Sequence, residues 1–533
     1  MLTRRTLPLR NVRFYARTQF PVMLGVMLAT AVLTGSLVIG DSLRGSLRDR
    51  ALRRLAGVEV TYAGTQFVSQ SIAAKLPGKV VPALLLDGSV NAVSPGGDPL
   101  SLTRIHVVGV DAAGAAFFDL GDGFGTADKP RAVVSARLAE ALQLGVGSKL
   151  EVGVERMSNV PRSSLLGAKS LDKVAAKVTL EVGRVLPADH PANDFDLSPN
   201  PRAPVNLFVP LEYLQARVEK PGRVNALLGT GADVAALNAA LAKELTPADW
   251  ALRLQTATKP GTYLSVESEQ LVLNPATARA VQTAAESLGA RYEPTLSYLA
   301  NTVALGDVPI LGRDVGTGRK FLPYSVVAAL NPAAAAPLGP FLPPGVAALA
   351  DDEIVLLDWP ESPLRGLPVG TTITVAYFKP EMEANAEETF ARFTLKGYVA
   401  LTGAADDPSL TPPFPGITDK LSIGEWESPF EMESKRIQRR DEDYWNRHKT
   451  TPKAYISTAA GERLFGSRFG TVTSLRIAPP LGQTPAAFEP ALREKLLTTL
   501  DPAAAGLVFK PTRERLLTTS QGGRRFRRHV PAV

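Results

Sequence analysis

Four histidines and the acidic and hydroxyl residues around them are the first candidates for chemistry, and their spacing argues against it. His106, His190, His448 and His529 lie far apart in the chain, without the H-E-x-x-H spacing that sets two imidazoles on one helix face to hold zinc. Each is expected on the surface or in a loop. No G-x-S-x-G elbow presents a serine at a strand-to-helix turn, and the Ser and Asp residues form no recognisable triad with those histidines. A G-x-x-x-x-G-K-[ST] phosphate loop is also missing, so ATP is not bound by that route, and residues 316–320 (GTGRK) read as a glycine-rich turn. Asp351, Asp352 and Glu353 lack the spacing of a calcium loop and are expected to form a turn entering a strand. The 533 residues include no cysteine, which excludes disulfides, thiolate metal sites and a cysteine nucleophile. No catalytic, cofactor-binding or metal-binding residue is nominated. The chain reads as a non-enzyme without cofactors, and any energy source must lie in another protein.

What the sequence positions instead is a membrane segment. Residues 20–40 (FPVMLGVMLATAVLTGSLVIG) run for 21 residues without a charge, which as a helix is ~31 Å, the thickness of a bilayer's hydrocarbon core. The anchor residues are Phe20, Leu24, Met27, Leu28, Val32, Leu33, Leu37, Val38 and Ile39. Upstream lie Arg4, Arg5, Arg10, Arg13 and Arg17 with no acidic residue, whereas Asp41 and Asp49 dilute the arginines downstream. The positive-inside bias therefore puts residues 1–19 in the cytoplasm and the bulk of the chain across the membrane. A cleaved signal peptide also begins with a basic region, but its apolar core is only 7–15 residues long, so a retained anchor is expected. Beyond it, Leu43, Leu47, Ala51 and Leu55 recur every four residues among arginines, the pattern of a stalk helix over 41–56 that packs its leucines on the exported domain. The alternative is a basic amphipathic helix lying on anionic lipid.

Composition agrees with one anchor and a water-soluble remainder. At 45% hydrophobic and 21% charged the chain is neither disordered nor polytopic, and its length calls for several domains. The net charge of +7 is concentrated at the ends: ten arginines fall between Arg4 and Arg54, and Arg524, Arg525, Arg527 and Arg528 crowd the last ten residues. Ends that flank a membrane explain this better than a nucleic-acid groove, so no nucleic-acid partner is expected.

The exported part repeats itself. Residues 132–135 (AVVS), 144–152 (LGVGSKLEV), 177–183 (KVTLEVG), 205–209 (VNLFV) and 223–228 (RVNALL) recur in the same order as 353–356 (EIVL), 367–375 (LPVGTTITV), 392–399 (RFTLKGYV), 454–457 (AYIS) and 471–477 (TVTSLRI). Each Val-Gly-(Ser/Thr) step is a turn into an alternating strand, with Gly147 and Gly370 where positive φ is needed. Helices fit 235–245 and 276–288, the latter opened by Asn274-Pro275. The expected fold is α+β: one transmembrane helix, then an internally duplicated mixed α/β region with unit 1 over 57–250, unit 2 over 251–510, and an Arg-rich tail over 511–533. Breaks are expected in the Pro/Ala-rich stretches 331–350, 406–416 and 478–490, and the charged stretch 434–453, with Tyr444 and Trp445 inside it, as a solvated helix capped by an aromatic contact.

These parts resemble ABC-transporter permeases of the MacB/FtsX type, in particular their extracytoplasmic core domain with the first transmembrane helix. The resemblance rests on residues 34–44 (TGSLVIGDSLR), the LGVGSKLEV turn, 297–301 (SYLAN), and 443–445 (DYW) followed by 451–455 (TPKAY), and covers roughly residues 10–515. It implies a subunit of the bacterial inner membrane without catalytic residues, driven by a separate cytoplasmic ABC ATPase, working as two permease copies in contact with membrane lipid, and exporting a substrate or releasing lipoproteins. Family members continue into further membrane helices, whereas this chain stops after GGRRFRRHVPAV, and a truncated or frame-shifted product is expected. The alternative is a single-pass anchored extracytoplasmic interaction protein without transport activity.

Overall fold

The computed structural model describes residues 7–125, 129–155, 175–198, 202–259, 261–306, 320–380, 388–414, 416–427 and 432–520. Arg4, Arg5, most of the GTGRK stretch and the tail beyond 520 lie outside these. Helix α1 (Leu7–Phe14) is followed after Tyr15 by α2 (Ala16–Arg54), which is 39 residues long and none of whose apolar window is buried against the rest of the protein.

The first copy contains β1 (Val60–Ser69), β2 (Lys79–Val93), β3 (Pro99–Val110), β4 (Arg131–Val134), β5 (Lys149–Glu155), β6 (Ala175–Val185), β7 (Asn206–Pro210) and β8 (Arg223–Thr230). Its helices are α3 (Ala112–Phe117), α4 (Ala136–Ala141), α5 (Leu211–Arg217) and α6 (Val234–Glu244). The second copy contains β9 (Leu252–Thr256), β10 (Leu264–Ser268), β11 (Arg291–Leu305), β12 (Phe321–Leu330), β13 (Glu353–Asp358), β14 (Thr372–Phe378), β15 (Glu388–Ala400), β16 (Ala454–Ser457) and β17 (Ser474–Ala478). With it go α7 (Pro275–Ser287), α8 (Arg439–His448), α9 (Thr458–Phe465), α10 (Pro485–Thr499) and α11 (Thr512–Ser520).

The duplication extends to every pairing of the first copy, and only the edge strand β9 is added in the second. Strands β2-β3-β7-β4-β6-β5 form a ring closed by β2–β5, and β11-β12-β16-β13-β15-β14 form its counterpart, closed through β11. β3 is parallel to β7 as β12 is to β16, and β4 is parallel to β6 as β13 is to β15. β8 and β1 extend the first ring from β2 as β17 and β10 extend the second from β11. Registers superimpose to the residue: Pro82 pairs with Leu227 as Pro294 pairs with Leu475. Arg104 and Tyr324 are equivalent bulges with φ of 60° and 40°, and Gly147 and Gly370 turn at φ of 90° and 91°. That positive φ is why glycine stands at both turns.

Each ring is filled by inward alternating residues, such as Leu86, Val107 and Val152 in the first and Tyr298, Val327 and Val375 in the second. Between the rings, α6, α7 and α10 lay Leu237, Val281 and Leu492 against both extensions, so the copies share one core. Asp233, Asn274 and Thr484 cap these helices by accepting the N3 amides. The Pro/Ala-rich stretches are not simple breaks: Ala334, Leu338 and Phe341 are buried against the second copy. The stalk differs from expectation as well. Leu43 and Leu47 stay exposed, and of the four stripe residues only Leu55 is buried.

Candidate functional site at the membrane-proximal stalk

The stalk is built from a helix that cannot be stable in water. Phe20, Leu24, Met27, Leu28, Val32, Leu33, Leu37, Val38 and Ile39 are 54–71% exposed, an apolar surface that only a hydrocarbon surrounding would accept. Two of its three polar side chains are neutralised locally, Thr30 donating to the Val26 carbonyl at 2.8 Å and Thr34 to the Thr30 carbonyl at 2.7 Å. Arg10, Arg13 and Arg17 are exposed on α1 and the start of α2, whereas Arg4 and Arg5 fall outside the described residues. At 1.5 Å per residue, α2 runs ~21 Å past Gly40 to its end at Arg54.

That meeting is tight. Arg54 is 7% exposed, with Nη2 donating to the Arg202 carbonyl at 2.5 Å, and its own carbonyl accepts from the Asp196 amide at 2.9 Å. Leu55 and Val58 are buried, and Val58 joins the cluster of Phe118, Phe195 and Phe208. The other end of the domain returns to the same place. Thr61 exchanges backbone hydrogen bonds with Lys510 (3.0 and 2.8 Å), the Thr61 and Thr512 hydroxyls share a hydrogen at 2.6 Å, and Arg513 donates to Glu59 at 2.6 Å. The Gly231 amide and the Thr230 hydroxyl, with Arg513 behind them, hold the Glu59 carboxyl below the usual carboxylate range. Helix α11 then lies against α2. The folded mass therefore hangs from α2 with both of its ends gathered at one point.

No group of three or more His, Asp or Glu side chains able to hold a metal occurs among the described residues. His106 is half-buried on β3 rather than in a loop, His190 bonds the Asp119 carbonyl at 3.1 Å, and His448 ends α8 against Asp406 at 3.1 Å. The charged stretch 434–453 also departs from a solvated helix: Asp441, Tyr444, Trp445 and Lys453 are all at most 5% exposed. Sequence reasoning missed Glu59, Lys510 and Arg513 because their pairing spans some 450 residues, with no local signal.

Residues 20–244 match the family model of the MacB-like periplasmic core domain, a span that opens in α2 and closes at the last residue of α6. The extracellular domain of the noncanonic ABC-type transporter YknZ from Gram-positive bacteria is similar at 12% identity over 33% of this chain and 83% of that chain, with a TM-score of 0.20. The periplasmic region of MacB from Actinobacillus actinomycetemcomitans is similar at 13% identity over 33% of this chain and 76% of that one, with a TM-score of 0.21. No curated protein matches the sequence.

Proposed function

Because residues 20–244 carry a MacB-like periplasmic core domain, the domain of MacB/FtsX-type ABC-transporter permeases, we propose that this chain is a permease subunit, or a part of one. In this reading it sits in the bacterial inner membrane with residues 1–19 in the cytoplasm, and its exported region couples ATP hydrolysis by a separate cytoplasmic ATPase to substrate export or lipoprotein release. A second permease copy and membrane lipid complete the assembly.

The observation that supports coupling is the attachment. A continuous helix from Ala16 to Arg54 enters the domain beside α11, so a tilt or shift of its last turns moves the exported mass with it. An ATPase acting on the cytoplasmic end would use that lever without any catalytic residue on the far side.

The test is made in the native membrane. Protease added outside opened outer envelopes should digest the region beyond residue 56, and the full chain should co-purify with an ATPase whose turnover it alters. Inserting Gly-Pro after Ser46 should keep the association and abolish the effect on turnover. Protection of the bulk from external protease sinks the orientation, and absence of any ATPase partner favours an anchored interaction protein instead.

A further inference from the structure

The last turns of α2 and the first copy enclose an open cleft of about 410 Å³. One wall is the connection from β6 to β7, residues 186–205, which is far shorter than the 401–453 that the second copy spends between β15 and β16. The lining carries four guanidiniums, Arg50, Arg53, Arg54 and Arg137, against two carboxylates, Asp49 and Asp194. With residues 20–40 in the bilayer, the lower rim at Ser46 stands ~9 Å beyond Gly40 at 1.5 Å per residue. The headgroup layer, which adds about 5–7 Å to each side of the hydrocarbon core, lies directly beneath.

The fold does not use up these arginines. Arg54 is almost buried, yet its hydrogen bonds go to the carbonyls of Ser198 and Arg202, and no carboxylate forms an ion pair with it among the described residues. Arg137 pairs with Asp194 at 2.8 Å, and its bonds to the Asn193 and Pro204 carbonyls, at 3.4 Å each, run through the same Nη1. Its Nε and Nη2 take no partner among the described residues, and 42% of the side chain is exposed. Arg53 is exposed and makes no ion pair among them either. With both carboxylates counted, two positive charges are left over, and charges drawn out of water are ordinarily matched.

We infer that this cleft is a binding site for a phosphate group, carried by a lipid headgroup or by a soluble phosphate ester, which accepts hydrogen bonds from Arg53 and Arg137 beside the charge of Arg54. A planar guanidinium presents two parallel donors to a phosphate at once. Phosphate is also the anion that the layer beneath the cleft presents. Asp49, exposed at the rim, opposes the ligand, and the arginines outweigh it. In the second copy Trp359 stands at the place of Arg137, as the pairings of β4 and β13 require, so the site is assigned to the first copy alone. The inference holds for an anchored interaction protein as much as for a permease and does not rest on the transport reading.

The experiment uses the full chain in maltoside micelles, which contain no phosphate. Dihexanoylphosphatidylglycerol, glycerol 3-phosphate and uncharged dihexanoylglycerol are titrated by calorimetry at low salt. Phosphate binding should saturate, and dihexanoylglycerol should not bind. A phospholipid that binds about tenfold more tightly than glycerol 3-phosphate assigns the site to a headgroup, and similar affinities assign it to soluble esters. Arg53→Gln should weaken binding about tenfold, the worth of one charge-assisted hydrogen bond, and Asp49→Asn should strengthen it. Both side chains are exposed, so neither change threatens the fold. Arg48→Gln, on the same helix but outside the cleft, should change nothing, which separates a site from general attraction to a basic stalk. Equal losses in Arg48→Gln and Arg53→Gln, dihexanoylglycerol binding as well as the phospholipid, or no saturable binding of either phosphate would overturn the assignment.

Discussion

Replacing Lys453 by methionine should cost far more than replacing Lys453 and Asp441 together. The two charges are 3.8 Å apart and nearly inaccessible, 6% and 0% by side chain. With an effective dielectric of about 20, charges at that separation attract by about 4 kcal/mol. The pair also carries a desolvation cost. Burial draws the Lys453 ammonium down to about 8 against the pull of Asp441, and burial raises Asp441 despite Lys453. Lys453→Met removes the attraction and leaves the carboxylate buried alone, so a loss of about 3–5 kcal/mol is expected. Lys453→Met/Asp441→Leu removes attraction and cost together and should fall within about 1 kcal/mol of wild type or above it. The assay is urea unfolding of the full chain in nanodiscs, read from tryptophan emission, since Trp359, Trp426 and Trp445 all lie in the second copy. The pH dependence gives a second check. A lysine whose folded value is depressed from 10.5 to about 8 binds its proton more weakly in the folded chain, so stability should rise by about 3 kcal/mol as pH climbs through that window. The relief is complete above 10.5 and absent below 8, and Lys453→Met should lack it. A coupling energy under about 1 kcal/mol in the double-mutant cycle, or a single variant as stable as the double, would refute this account.

Three further outcomes follow from the repeated architecture. Gly147→Ala and Gly370→Ala should each cost about 1 kcal/mol and by similar amounts in urea unfolding, because both residues hold φ near 90° and an added Cβ would meet nothing within 4 Å. Gly461→Ala should cost about 3 kcal/mol, since its Cβ would lie 2.0 Å from that of Ala329 where α9 packs on β12. Asp407 is buried beside Tyr263 and Arg476, and desolvation raises its carboxyl from 3.8 to about 6. Its contribution is complete below 3.8 and lost as pH rises to 6, so the stability difference between wild type and Asp407→Asn should shift by about 3 kcal/mol across that interval; a flat difference would contradict the burial argument.

Asp407 and Arg476 also show how far one copy has moved from the other. The position of Arg476 on β17 is that of Leu228 on β8, as the pairings of β2 and β11 require. Leu228 sits in a dry cluster with Val81 and Phe208. Arg476, just as buried, donates to Thr295 Oγ1 at 2.8 Å and the Leu338 carbonyl at 2.6 Å, while Tyr263 donates to Asp407 nearby. The fold tolerates the exchange because the Pro/Ala-rich stretch 331–350, which reads as a break in sequence, packs its backbone there as acceptor.

The apolar helix, the duplicated order of β4 to β8 with β13 to β17, and the glycine turns were legible in the sequence, because each rests on local rules: length without charge, period-two alternation, and φ available only to glycine. The strands before β4 and β13 escaped notice, since β2 and β11 share little beyond Pro82 and Pro294 while closing their rings through partners distant in sequence. Distance also hid the return of α11 to the stalk and the junction of Glu59 with Arg513. The charged stretch around Tyr444 looked solvated because composition reports polarity but not which face is covered. Burial of Asp441 and Lys453 under the long connection is a property of packing between segments, and only the tertiary structure could decide it.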